Sequence, residues 1–300
     1  MAEIRMYLGA HKTATTHLQG ILMANRDSLA ARGVALSAPQ DVRKDWLPLY
    51  FQAVRALQQK GRIPEKLAEP LRAAMPGQGD WILTEENILG VPVDLINHPG
   101  LYPHSARRLA GLKALFPDQR LRLYFSVRAY DSFWRSMYSE IVRNRGFLPW
   151  AQFWKPEAFA ARSWLQTVSD FAAVLPEAEI VLWRFEDFRT VMPGVLAELA
   201  GTAEVEPLIA AYQPEATRPS LSQKALDILA DLAPAIGVPE ALRLTERIND
   251  HYAVARGHAP FDPFSPEEAA AMRAAYDRDL GVECRTGQDR IIRRFGGAFS

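Results

Sequence analysis

The chain has 300 residues, 48% of them hydrophobic, and its 35 basic and 35 acidic side chains leave no net charge. That is core material for one large α/β domain or two small ones, without the broad positive field that draws a protein to nucleic acid or an anionic membrane. A single cysteine, Cys284, excludes an internal disulfide framework and a thiolate metal cluster.

In chain order, Ile4, Met6 and Leu8 form a short apolar run, the first expected strand, and Leu18, Ile21 and Leu22 then take up helical spacing. Gly33 to Pro39 reads as a second strand. Tyr50, Val54 and Leu57 share one helical face, and Leu67 and Leu71 another. Trp81 to Thr84 is a short buried strand, and Arg107 to Phe116 a helix with Leu109, Leu112 and Phe116 on one side. Leu121, Leu123, Phe125 and Val127 alternate with polar residues as a strand does. After it Asp131 is a candidate N-cap, and Trp134, Met137, Tyr138 and Ile141 form one buried helical face. Ser132, Ser136, Ser139 and Arg143 lie on a different face of that helix. Ile180 to Trp183 is a further strand, with a helix after it to Leu199. Beyond Gly201 the chain is mainly helical, and Ser265-Pro-Glu-Glu268 has the form of a capped helix start. The alternation predicts an α/β fold, a three-layer parallel sheet flanked by helices, in one domain over 1–300 with a helical C-terminal extension from about 202. No apolar run approaches membrane-spanning length, and a strand starts almost at the N-terminus; the expectation is a cytoplasmic protein without integral membrane association.

The candidate site begins at Gly9, Ala10, His11, Lys12, Thr13, Ala14, Thr15 and Thr16, between the first strand and the first helix. A strand turning through small residues into a helix N-terminus gathers free backbone N–H groups around one point. With Lys12 and the threonine hydroxyls beside it, that point suits a phosphate-like anion. The Walker A pattern fails here, because His11 rather than glycine precedes Lys12 and Met6 stands where the first glycine belongs. The loop resembles the 5′-phosphosulfate loop of sulfotransferases, Gly-x-x-Lys-Thr-Gly-Thr-Thr followed by Leu-Gln. Gly9, Lys12, Thr13, Thr15, Thr16, Leu18 and Gln19 match, while Ala14 replaces a glycine and so calls for an ordinary backbone conformation there. The resemblance implies a P-loop-like fold of bacterial or cytosolic type. Its donor is 3′-phosphoadenosine 5′-phosphosulfate (PAPS), and it uses no metal.

A donor with a second phosphate needs a second anion socket. The family places an Arg at a strand end and a Ser eight positions later for the 3′-phosphate, and Arg128 and Ser136 match that pair. Thr84-Glu85-Glu86-Asn87-Ile88-Leu89 resembles the Ser-x-Glu-Asn-Leu segment of bacterial members, which implies Glu86, or failing it Glu85, as the base that takes the acceptor's proton. The bland alternative is that one Glu caps the following helix and the other is solvated. Lys12 then stabilises charge on the departing phosphate. Arg184-Phe-Glu-Asp187 resembles the family's Arg-Tyr-Glu-Asp-Leu segment, with Glu186 or Asp187 starting a helix and Arg184 paired internally. Arg218-Pro-Ser220 resembles a late segment near the nucleotide.

His11 contributes its backbone, His104 reads as a surface or capping residue, and His98, His251 and His258 show no metal-ligand spacing. Trp134, Tyr138, Phe147, Trp150, Phe153 and Trp154, with Arg143 and Arg145 among them, read either as a sugar-stacking platform or as core. The acceptor is therefore a carbohydrate or glycolipid hydroxyl on the first reading, with a small alcohol, phenol or amine open. Two rival functions are a P-loop kinase or nucleotide hydrolase and a non-catalytic nucleotide-binding member of the family. Oligomeric state is not legible.

Overall fold

A computed structural model describes residues 2–75, 79–98, 100–214, 220–281 and 292–294. Cys284, Arg218 and Pro219 lie outside them. Six strands form one sheet: β1 (Glu3–Tyr7), β2 (Val34–Ser37), β3 (Asp80–Thr84), β4 (Arg120–Val127), β5 (Glu179–Arg184) and β6 (Ile292–Arg294). Their order is β2-β3-β1-β4-β5-β6 and every pairing is parallel. Five of these strands fall where the alternation places them. β6, a short edge strand, was not anticipated.

A parallel sheet needs both faces covered, so its strands carry apolar residues on both sides. Ile4 and Met6 of β1, Trp81 and Leu83 of β3, Leu123 and Phe125 of β4 and Ile180 and Leu182 of β5 enter one core. The residues between them, Tyr7, Ile82, Tyr124, Val181 and Trp183, enter a second core on the other face. The period of two in the strands thus becomes two hydrophobic layers around one sheet. The first layer is closed by helices that include Trp46–Lys60, Ser105–Leu115, Tyr130–Arg145, Trp164–Val174, Gln223–Ile236 and Pro266–Gly281; the second is closed by Thr15–Ala24 and Phe188–Ala200. The fold is a three-layer parallel α/β structure.

This topology positions the site. β1 and β4 are neighbours, with Tyr7 beside Tyr124. The helix after β1 (Thr15–Ala24) lies on the second face and the helix after β4 (Tyr130–Arg145) on the first. Where successive connections diverge to opposite faces, the carboxyl ends of the two strands leave a crevice between them, and ligands of open parallel sheets bind there. Leu8 N–H donates to the Tyr124 carbonyl and Ala10 N–H to the Ser126 carbonyl, each at 3.1 Å, so the loop stays stitched to β4 beyond the end of β1.

Two local expectations change. Ala129, not Asp131, holds the N-cap position of the helix after β4, and no side chain caps it. Asp131 is nearly buried and is engaged by Arg135 (3.2 Å) and Arg273 (3.3 Å) instead. Of the aromatic group on and after this helix, Trp134, Tyr138 and Phe153 are core, and Trp150 and Trp154 pack on Phe264 from its edge. Phe147, Trp150 and Trp154 stay half-buried at the edge of this core. Ser265 and Glu268 form the expected capping box, with Glu268 N–H donating to Ser265 Oγ (3.2 Å) and Ser265 N–H to Glu268 Oε2 (2.8 Å).

Candidate active site

The loop after β1 is built by close packing at its ends and unusual backbone in its middle. A Cβ on Gly9 would lie 2.6 Å from Thr15 Cγ2, so glycine lets the start of the loop pass against the start of the helix. Lys12 and Ala14 both take the left-handed conformation, with φ of 62° and 60°. The ordinary conformation expected at Ala14 is thus not the one adopted; the chain keeps the shape that a glycine would hold without strain. Alternating handedness turns successive N–H groups toward one side, the geometry of an anion-binding nest. Among the described residues no acceptor is found for the N–H groups of Lys12, Thr13, Ala14, Thr15 and Thr16.

The side chains of the loop divide the work. Thr13 is buried, and its hydroxyl donates to the Ala10 carbonyl at 2.6 Å and meets Ser126 Oγ at 2.5 Å, which locks the loop to β4. Thr15 is buried beside Gly9, while Thr16 is exposed. Lys12 extends to Glu140 on the helix after β4, with Nζ 3.1 Å from Oε2. Burial acts to raise the pKa of Glu140, but the ammonium of Lys12 outweighs it and holds the carboxyl below its usual range.

Arg128 continues from the end of β4 to the same place. Its Nη1 donates to the Lys12 carbonyl at 2.6 Å and its Nε to Ser132 Oγ at 2.9 Å, and its guanidinium lies 4.5 Å from the centre of the Phe185 ring. The hydroxyl it holds is that of Ser132, one turn before Ser136. Ser136 is buried on the same helix.

His11 does more than lend its backbone. Its N–H donates to Tyr102 Oη at 2.7 Å, so that oxygen has a proton to give to His11 Nδ1, 2.8 Å away. Nε2 then carries the ring proton and donates to Asn87 Oδ1 at 3.2 Å. Burial depresses the imidazole pKa, which agrees with this neutral ring.

The network runs on from Asn87 into the acidic pair after β3. Asn87 donates to Glu85 Oε1 from its backbone N–H (3.0 Å) and from its side-chain amide. Arg43 spans both acids, with Nε 2.6 Å from Glu85 Oε2 and Nη2 2.8 Å from Glu86 Oε1. Gln19, on the helix after β1, donates to Glu86 Oε2 and to Thr84 Oγ1, each at 3.1 Å. The two glutamates therefore differ. Glu85 is fully buried and caps the short turn Glu86–Ile88. Glu86 keeps 14% of its side chain exposed. Burial, and then the charge of Glu86, push the Glu85 pKa upward against the pull of Arg43.

Arg184-Phe-Glu-Asp187 has a tying role. Glu186 accepts from Ala129 N–H at 3.0 Å and from Tyr276 Oη at 2.8 Å. It joins the end of β5 to the helix after β4 and to the helix Pro266–Gly281. The helix that follows starts at Phe188 with Asp187 in the N-cap position.

The structure thus brings Lys12, Arg128, Glu85 and Glu86 to the carboxyl ends of three adjacent strands. Sequence reasoning missed Arg43, Tyr102 and Glu140. Arg43 and Tyr102 lie outside any motif, and only a spacing of four from Ser136 along one helix marks Glu140. It also missed a convergence of histidines: ligand atoms of Asp94, His98 and His104 lie within 4.8 Å of one another.

No protein-family model and no curated protein sequence matches the chain. Among solved structures it is similar to a sulfotransferase from Alicyclobacillus acidocaldarius, at 15% identity and a TM-score of 0.39 over 83% of this chain and 96% of that one. It is similar also to a mouse sulfotransferase complexed with PAP, at 13% identity and a TM-score of 0.39 over 96% of this chain and 86% of that one. At that score and identity neither likeness decides the function, which has to be argued from the site.

Proposed function

We propose that the protein is a sulfotransferase that moves the sulfuryl group of PAPS to an acceptor hydroxyl by in-line displacement. The observation that carries this reading is the pairing of an anion nest holding Lys12 with Arg128 on the adjacent strand. Two cationic groups side by side suit a donor with phosphate at both its 3′ and 5′ positions. The loop residues from Gly9 to Thr16 take the 5′ end, and Arg128 and Ser136 the 3′-phosphate.

In the resting site Lys12 rests on Glu140. With donor present its ammonium turns to the oxygen that bridges sulfur and phosphorus, where negative charge grows as the bond breaks. Stabilising that charge more than the ground state lowers the barrier. Glu86, the more accessible acid, takes the acceptor's proton, and Glu85 holds it in place through Arg43. The nest, Lys12 and Arg128 balance the departing charge by themselves, so the step is written without a metal. The acceptor is an alcohol or phenol. The half-buried rings of Phe147, Trp150 and Trp154 keep a carbohydrate or glycolipid hydroxyl among the candidates. No described helix is long and apolar enough to cross a membrane.

One observation favours the kinase reading. The acidic pair stands at the end of β3, next to β1, where a magnesium-binding carboxylate would serve a P-loop enzyme. Against it, Arg43 engages both acids, and the Thr13 hydroxyl is bonded to Ala10 and Ser126.

The test is a thermal-shift comparison. Saturating adenosine 3′,5′-bisphosphate is expected to raise the melting temperature by about 5 °C without added metal. Stabilisation by ATP with magnesium alone overturns the proposal in favour of the kinase. Lys12→Ala is expected to lose transfer by about a hundredfold or more while staying folded. Glu86→Gln is expected to lose turnover by a similar factor and to keep the nucleotide-induced shift.

A further inference from the structure

The segment between the acidic pair and the helix Ser105–Leu115 holds a group of side chains that the transfer reaction does not use. Asp94 opens the short helix Asp94–Asn97, and His98 follows one turn later, its N–H donating to the Asp94 carbonyl at 2.9 Å. The chain then turns back through Tyr102, whose φ of 47° is left-handed, and delivers His104 to the N-cap position of the next helix. The imidazoles of His98 and His104 stand edge to face with centroids 4.4 Å apart. One ring nitrogen of each and one carboxylate oxygen of Asp94 lie within 4.8 Å of one another. Among the described residues no hydrogen-bond partner is found for any ring nitrogen of the two histidines.

Asp94 is fixed by an ion pair with Arg108 and by a backbone hydrogen bond. Both of its hydrogen bonds fall on Oδ2, from Val91 N–H (3.0 Å) and from Arg108 Nη2 (2.9 Å). They fix the carboxylate and leave Oδ1 for a cation, as outer-shell partners do around metal sites. Asp94 is 9% exposed, whereas His98 stands at the surface, so the group has a supported inner side and an open outer one.

We propose that Asp94, His98 and His104 bind a divalent transition cation of the zinc class. Two neutral imidazoles and one carboxylate are a borderline donor set, and zinc takes such a set tetrahedrally with water in the fourth position. The three ligands bracket Tyr102, whose hydroxyl holds both the N–H and the ring of His11. The cation is therefore a clip that ties Asp94, His98 and His104 together around Tyr102. The proposal is independent of the reaction assigned to that loop.

The test uses chelator-treated full-length protein without a histidine tag, titrated calorimetrically with Zn2+ and followed separately with Co2+ as an optical probe. Wild type is expected to bind one equivalent of Zn2+ and to give the visible absorption of tetrahedral Co2+. His98→Ala, a surface change that leaves the fold intact by circular dichroism, is expected to weaken Zn2+ binding at least tenfold and to remove the cobalt band. His104→Ala is expected to do the same. Mg2+, which prefers six oxygen ligands, is expected not to compete. The inference is overturned if wild type binds no Zn2+, or if its affinity is unchanged in the His98→Ala, His104→Ala double variant.

Discussion

Ala14 shows most clearly how the loop's shape outranks the preference of a single residue. Its φ of 60° puts an L-side chain in the left-handed region, at a cost of about 1 kcal/mol or more. A glycine would relieve the strain but would lose more chain entropy on folding. Ala14→Gly is therefore expected to raise stability by about 0.5 kcal/mol in urea unfolding, the strain outweighing the entropy. A lower stability in the variant would mean that the alanine methyl makes contacts worth more than the strain. His11 carries a related lesson. Its two ring nitrogens are assigned opposite roles by Tyr102 and Asn87, so a residue read from sequence as backbone joins the loop to the acidic pair.

Helices around the sheet are placed by their buried faces and bounded by their caps. Pro266–Gly281 buries Met272 and Tyr276 in the first core, and Tyr276 reaches Glu186 at the end of β5. Its start depends on the reciprocal bonds of Ser265 and Glu268. Ser265→Ala is expected to cost about 1 kcal/mol in chemical denaturation, with little change at the distant loop. A cost near zero would show that packing of the helix face fixes its start without the cap. The helix after β4 is anchored differently. Its first N–H groups have no capping side chain, and the neighbouring Ala129 N–H is taken by Glu186 from the turn after β5. Asp131 is freed to hold Arg135 and Arg273.

For the whole molecule, the acidic pair links the site to stability. Glu85 is fully buried, and burial with the charge of Glu86 raises its pKa above the ordinary 4.5. The folded chain then holds this proton more tightly than the unfolded chain does. The stability that comes from this proton is fully present below about pH 4.5 and is lost as the pH rises through the raised value. Glu85→Gln removes the titration. The stability of the variant relative to wild type is therefore expected to climb with pH from 4.5 upward, measured by urea unfolding at stepped pH. A difference that stays flat across that range would show that Arg43 and Asn87 compensate the buried charge completely. A burial cost of this kind at a strand end is common where function asks for a poised carboxylate.

The sequence alone determined the parallel α/β architecture and the position of the loop between β1 and the first helix. Both rest on local patterns: apolar residues at a period of two along β1 and β4, short continuous apolar runs at β3 and β5, helical spacing between them, and glycine with lysine and threonines where strand becomes helix. Such patterns are legible because backbone geometry imposes them within a few residues. Only the tertiary structure decided which partners those residues meet. Arg43 clamps acids more than forty positions away, Tyr102 holds a loop ninety positions before it, and Arg128 settles on Ser132 and the Lys12 carbonyl. Likewise, His98 and His104 come together with Asp94 through the turn at Tyr102, and Trp134, Tyr138 and Phe153 of the aromatic group enter the core. Each of these outcomes depends on how layers pack around the sheet, and contacts between distant segments leave no periodic trace in the chain that makes them.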